Sequence, residues 1–381
     1  MAAGVSVAAS SAAGDRIAGA RGRRDAGAQY GRGHDAPRNL PTATSALVIA
    51  VFGAGAIGCW VGGKLATGGA DITLVGRARI MGELADGLVV SELAGAPVTA
   101  RVTASTEASA AAAAELVLVT VKSAQTAEAA TALDRVLPDG AIVVSLQNGV
   151  RNADVLRAGL PRCRVLAAMV PFNVIRRGLG AYHRASAGAL RIEDAPAAQP
   201  MVDACRAAGL ALERRADMPA VQWGKLVMNL NNAINALAGV PLAAELAQRA
   251  YRRCLAAAQA EALDLLAAAR IDVARLTMIP PRWMPKLLAI PDRVFARLLP
   301  VVVPIDAHAR SSMWDDLEAG RPTEIDHLQG EVVTLAERLG RAAPINAALV
   351  RLVRAAETGG RRDYSGDELA RELALTSTAS A

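Results

Sequence analysis

The eleven residues Val48–Gly58, VIAVFGAGAIG, constrain this chain more than any other stretch. An apolar, β-branched run passes directly into Gly53-Ala54-Gly55-Ala56-Ile57-Gly58. In a strand that turns straight into a helix, the first glycine permits the tight turn. The second lets the backbone approach a pyrophosphate, and the third lets the helix lie against the strand. The free N–H groups and the positive end of the helix dipole then face an anion. A helix from Ile57 to about Thr67 and a strand-like run at Asp71–Val75 complete a βαβ unit. Residues 53–58 are therefore the expected dinucleotide loop. Ala46–Gly63 is also uncharged over 18 residues, the lower edge of membrane-spanning length. Glycines at turn spacing, with Lys64 and Asp71 close behind, fit the βαβ unit better.

The second strand bears on which dinucleotide binds. An NAD site places Asp or Glu about 20 residues past the glycines, to take the ribose 2′-hydroxyl. Here the run ITLV ends in Gly76 and Arg77, with Arg79 beyond and no carboxylate at the tip. A guanidinium there pairs with a 2′-phosphate, so NADPH is expected with Arg77 as its reader; a solvated surface arginine is the plainer alternative.

Two ordinary domains fit in 381 residues, and 52% hydrophobic with 20% charged residues describes a soluble globular protein. Residues 1–45 are rich in Ala, Gly and Arg and lack periodicity, which predicts disorder. Six arginines against three aspartates there account for +3 of the formal +6. The rest is mildly basic, suited to an anionic cofactor and substrate, and has no dense basic stripe for nucleic acid. The four cysteines are scattered without a CxxC, and the four histidines form no ligand pair, so no metal site is expected. A cytoplasmic location is assumed, since no long apolar segment with a cleavage site precedes residue 46.

From residue 46 to 213 strand-like runs alternate with helical segments, predicting a Rossmann-type doubly wound sheet. LVLVTV (116–121) and AIVVSL (141–146) read as central parallel strands buried on both faces. From 214 to 381 strand patterns give way to long Ala/Leu/Arg helices, expected over Met218–Ala238, Ala243–Ala269 and Glu324–Leu339. This half is expected to be an all-α domain, and the cleft between the halves is the default place for chemistry.

Four motifs put polar groups at that cleft. Lys122-Ser123-Ala124-Gln125-Thr126 follows one central strand, and Gln147-Asn148-Gly149-Val150 follows the other. Strand carboxyl ends are where a nicotinamide lies, so Lys122, Gln125 and Asn148 are candidates. Asn148-Gly149 also reads as a simple turn. In WGKLVMNLNN, Lys225, Asn229 and Asn232 fall at i, i+4 and i+7 on one helical face. Buried amides and an ammonium need partners, and a ligand can be one. Lys225 snorkelling to the surface is the plainer alternative. In Ser311-Ser312-Met313-Trp314-Asp315-Asp316 and Thr323-Glu324-Ile325-Asp326, Thr323 reads as an N-cap with Asp326 closing a capping box. Glu324 would then lie in a first helical turn, and Ser312 reads as a helix cap or a ligand contact.

In order, GAGAIG, KSAQT, QNGV, WGKLVMN, SSMWDDL and TEID resemble the ketopantoate reductases (2-dehydropantoate 2-reductases) over residues 47 to about 345. The resemblance implies an N-terminal Rossmann domain, a C-terminal helical domain and NADPH-dependent reduction of 2-dehydropantoate to (R)-pantoate in the pantothenate and coenzyme A pathway. It implies that Gly53, Gly55 and Gly58 hold the pyrophosphate and Arg77 the 2′-phosphate. Lys122, Gln125 and Asn148 would border the nicotinamide and its ribose, with Lys225 as general acid. Asn229, Ser312 and Glu324 would contact substrate or cofactor around the ketone, with Glu324 a second catalytic candidate that positions Lys225 or hydrogen-bonds the substrate; Asn148 and Asn232 are further substrate-side candidates. One departure stands out. The family's further asparagine, four residues after the position of Asn229, is here Ala233, with Asn232 beside it and Asn235 two further on. Another branched 2-oxo acid is thus an alternative substrate, and a non-catalytic NADP(H)-binding protein an alternative function. A homodimer is the expected assembly.

Overall fold

The computed structural model describes residues 46–85, 87–302 and 309–375. The predicted disorder of 1–45 lies outside them, as do His34 and His308. Twelve strands occur among the described residues: β1 (Val48–Phe52), β2 (Asp71–Val75), β3 (Leu88–Ser91), β4 (Val98–Ala100), β5 (Thr103–Ser105), β6 (Leu116–Val119), β7 (Ile142–Ser145), β8 (Arg164–Met169), β9 (Val174–Gly178), β10 (Ala181–Arg184), β11 (Leu190–Glu193) and β12 (Leu212–Arg215). Eight form one sheet in the order β12-β11-β8-β7-β6-β1-β2-β5, parallel except where β11 meets β8. All four residues of β6 are buried, as expected of a strand covered on both faces. The chain leaves β1 first towards β2 and later returns to β6 on its other side. That reversal opens a crevice beyond the strand ends, the standard ligand position in such sheets.

Helix Ala56–Thr67 crosses from β1 to β2 and buries Cys59, Trp60, Val61 and Leu65. The membrane-span alternative fails here, because its 18 residues divide between β1 and this helix. No helix among the described residues is long and apolar enough to cross a membrane. A second sheet, β4-β3-β10-β9, packs against this helix, with Trp60 Nε1 donating to the Ser91 carbonyl at 2.9 Å. Strands β5, β9, β10 and β12 have no counterpart in the sequence reading. β9 carries exposed Arg176 and Arg177, and β12 reads Leu-Glu-Arg-Arg. Charged edge strands hide the apolar alternation that a sequence search uses, while protecting the edge from aggregation.

After Arg215 the described chain is helical. Helix Arg249–Ala268 runs through the core of this half, burying Cys254, Ala258, Ala262, Leu265 and Leu266. The expected long helices are interrupted. Met218–Ala238 divides into Met218–Asn229 and Asn231–Ala238; Ala243–Ala269 into Leu242–Ala247 and Arg249–Ala268. The first break has a clear cause. Gln259 Nε2 donates to the Val227 carbonyl at 3.1 Å, and Gln329 Nε2 to the Leu230 carbonyl at 2.8 Å. Side chains inserted into a helix's own hydrogen-bond ladder bend or split it. Glu324–Leu339 likewise becomes a 3₁₀ turn, Ile325–His327, then helix Gln329–Arg338.

Candidate active site

The turn after β1 has the properties an anion cradle needs. Gly53 takes φ +118°, and a Cβ there would meet Val121 N at 2.6 Å. A Cβ on Gly58 would run into the Gly53 carbonyl oxygen and Thr120 Oγ1. Gly55 differs: a Cβ would find nothing within 4 Å, so its exposed face is open. It precedes the first turn of helix Ala56–Thr67, which has no side-chain cap and no acidic residue. Ala54 is buried beneath, while Ala56 and Ile57 are half-buried. At the tip of β2, Arg79 pairs with Glu83 at 3.0 Å, whereas exposed Arg77 has no ion pair among the described residues. Free N–H groups, an unobstructed glycine and an unpaired guanidinium fit a dinucleotide with a 2′-phosphate.

Beyond β6 and β7 the two halves of the chain meet in a polar cluster. Glu324, 8% exposed, stands at its centre. Its Oε1 accepts from Ser123 Oγ at 3.1 Å and Ser123 N at 3.3 Å, and its Oε2 accepts from Asn148 Nδ2 at 3.3 Å. Lys122 Nζ lies 3.7 Å from Glu324 Oε2 and donates to Asp316 Oδ2 at 2.8 Å. Desolvation pulls the Lys122 ammonium down, but Glu324 and Asp316 together hold it above its ordinary value. Asp316, 3% exposed, also takes Arg321 Nε at 3.1 Å. One helical turn along the loop, Arg151 Nε donates to the buried Glu331 at 2.7 Å. Beneath the cluster, Asn152 Nδ2 donates to the Asn148 carbonyl and Ser123 Oγ, and Gln147 Nε2 to Thr126 Oγ1 at 2.7 Å. Buried amides satisfied in this way hold the loops rigid.

This geometry corrects two details. Glu324 is not in the first turn of an α-helix capped by Thr323; Thr323 Oγ1 accepts from Ile325 N at 3.2 Å, and Asp326 pairs with Arg354. The capping serine is Ser311, whose Oγ accepts from Trp314 N at 3.1 Å. Ser312, first in helix Ser312–Glu318, is exposed.

Helix Met218–Asn229 carries Lys225, half-buried and without an ion pair or hydrogen bond among the described residues. Burial pushes its ammonium down to about 8. Asn229 and Asn232 are half-buried, and the Asn232 side chain has no partner among the described residues. Asn235 is fully buried with both amide atoms engaged, and Ala233 is also fully buried. Asn235 is thus spent on the protein's own groups, whereas the side chains of Asn229 and Asn232 are left for a ligand. Gln125 is half-buried at the end of the 3₁₀ turn Ser123–Gln125.

Lys122, Asn148 and Glu324 are thus in one cluster. Lys225, Asn229, Asn232 and Ser312 make no hydrogen bond to it among the described residues. Two bridges connect the groups: Gln329 to Leu230 at the end of the lysine helix, and Ser311 Oγ to the Asn232 carbonyl at 3.1 Å. Asp316 escaped the sequence reading, although its motif did not. Its only signal was a second carboxylate after Ser-Ser-Met-Trp, and its partner is 194 residues away.

Two family profiles match the chain: "Ketopantoate reductase PanE/ApbA" over residues 49–197 and "Ketopantoate reductase PanE/ApbA C terminal" over 217–357. The 2-dehydropantoate 2-reductase of Halobacterium salinarum is 32% identical over 321 residues, 82% of this chain and 99% of that protein. That of Archaeoglobus fulgidus is 27% identical over 328 residues, 82% and 98% of the two chains. A PanE/ApbA family ketopantoate reductase from Ralstonia eutropha JMP134, known as a crystal structure, superposes with TM-score 0.71 at 30% identity, over 82% of this chain and 99% of that one.

Proposed function

Because this chain belongs to the ketopantoate reductase family, we propose that it reduces 2-dehydropantoate to (R)-pantoate, with NADPH as reductant, in pantothenate and coenzyme A biosynthesis. The observation that carries the catalytic part is Lys225: an ammonium half-buried on a mostly apolar helix, unpaired among the described residues and depressed to about 8. A buried group with a shifted pKa near working pH suits a general acid.

Residues 53–58 would hold the pyrophosphate and Arg77 the 2′-phosphate. Lys122, Gln125 and Asn148 would flank the nicotinamide ribose. When bound, NADPH supplies a hydride for the C2 ketone. Lys225 gives a proton to the ketone oxygen, and its charge stabilises the developing alkoxide. Asn229, Asn232 and Ser312 orient the carboxylate and hydroxyl of the oxo acid, which aligns the carbonyl. Glu324 fixes Lys122 and Asn148 from across the boundary between the halves. Residues 46–213 form the nucleotide domain on this reading and 214–381 the substrate-side domain. A homodimer in the cytoplasm completes it, and the mass in solution checks the first part.

The test follows NADPH absorbance with 2-dehydropantoate and with a panel of other branched 2-oxo acids. Preferred turnover of 2-dehydropantoate is expected. Preference for another acid overturns the substrate, and NADPH binding without turnover of any acid overturns the enzyme.

A further inference from the structure

Glu245 is 1% exposed, and no lysine, arginine or histidine pairs with it among the described residues. It lies in the short helix Leu242–Ala247, outside every motif discussed above. Its Oε2 accepts from Asn235 Nδ2 at 2.7 Å, and the Asn231 amide also favours its charged form. The other end of the Asn235 amide faces the serine pair: Oδ1 accepts from Ser311 N at 2.9 Å. Ser311 in turn caps the helix that begins at Ser312, binds the Asn232 carbonyl and leads to Asp316, the partner of Lys122. A single line of hydrogen bonds thus runs from a buried carboxyl to the backbone beside two substrate-side candidates.

We propose that Glu245 is a positioning residue: acting through Asn235, it sets the Ser311 backbone and so the placement of Ser312 and Asn232 against the oxo acid. This rests on the reading that those two residues face the substrate. Burial of a carboxyl with no cation beside it is costly unless the group stays neutral, and burial pushes Glu245 up to about 8. A protonated carboxyl must donate its O–H. Asn231 Oδ1 is buried without a partner; turning that amide over, an assignment that heavy-atom positions leave open, makes it the acceptor. A glutamine reproduces that donor and acceptor pattern, and an alanine reproduces neither.

Glu245→Gln, Glu245→Ala and Asn235→Ala test this in the full chain. NADPH affinity comes from titration, KM and kcat for 2-dehydropantoate from steady state, and exchange of the 309–318 backbone from hydrogen–deuterium exchange. Glu245→Gln is expected to match the parent. Glu245→Ala and Asn235→Ala should raise KM about tenfold, the scale of one lost hydrogen bond, with NADPH affinity kept and exchange of 309–318 accelerated. The proposal falls if the alanine variants fold and leave KM and exchange unchanged, or if Glu245→Gln loses as much as Glu245→Ala. Should Glu245→Ala not fold, Asn235→Ala decides by the same readouts. Faster exchange in an enzyme whose parent does not turn over 2-dehydropantoate would sink the functional reading while keeping the tether.

Discussion

Replacing Lys225 by Met should yield a protein that is more stable and almost inactive. The ammonium is held at about 8 against an ordinary 10.5. At about 1.36 kcal/mol for each tenfold change in acidity, its charged form is disfavoured by about 3 kcal/mol, an upper figure because Lys225 is only half-buried. Methionine keeps the length and apolar stem without that cost. The pH window follows from the sign. Between about 8 and 10.5 the unfolded chain holds the proton and the folded one does not, so parent stability rises with pH there. The advantage of Lys225→Met is therefore full at pH 7 and shrinks to nothing by about 10.5. Denaturant unfolding at several pH values reads this. Turnover should fall about 10²–10⁴-fold, the usual range for loss of a general acid. The parent's kcat/KM should decline above pH 8 as the ammonium loses its proton. A Lys225→Met variant that is less stable at pH 7, or that retains turnover within tenfold, refutes the reasoning.

Two loop glycines should respond oppositely. Gly55→Ala meets open space, so calorimetry should show an unchanged Tm while NADPH binding weakens; Gly58→Ala collides with the Gly53 carbonyl and Thr120 and should lose about 1–3 kcal/mol of stability. Arg77→Glu should weaken NADPH about 10–100-fold, the scale of a hydrogen bond to a charged group, and leave NADH little changed; equal losses for both coenzymes would exclude Arg77 as the 2′-phosphate reader. Ala233→Asn should cost about 1–3 kcal/mol by overpacking and leave KM for the oxo acid no better, because Ala233 is fully buried. A lower KM would show that the position reaches the substrate after all.

The parts of this fold that were legible in sequence depend on local signals. VIAVFGAGAIG encodes strand, turn and helix in consecutive residues, and β6 and β7 appear as unbroken apolar runs because both faces are covered. Lys122, Asn148 and Glu324 were singled out from separate motifs, and their contact could be read from none of them. The helix breaks were invisible for the same reason: the split at Leu230 is caused by Gln259 and Gln329, donors on two other helices. Glu245 and Asp316 looked like ordinary helical carboxylates. Only tertiary burial distinguishes them from solvated ones.

The seam between the halves has a consequence for any attempt to dissect the chain. Its acids, Asp316, Glu324 and Glu331, all belong to the helical half; the bases they meet across the seam, Lys122 and Arg151, belong to the nucleotide half, while Arg321 pairs with Asp316 from its own side. Cutting near residue 215 would leave Asp316 with Arg321 alone, strip Glu324 and Glu331 of the cations across the seam, and leave Lys122 and Arg151 unmatched on the other fragment. Each piece would face mutual repulsion where the intact chain has attraction, so the halves should recombine in dilute buffer and drift apart as salt is added.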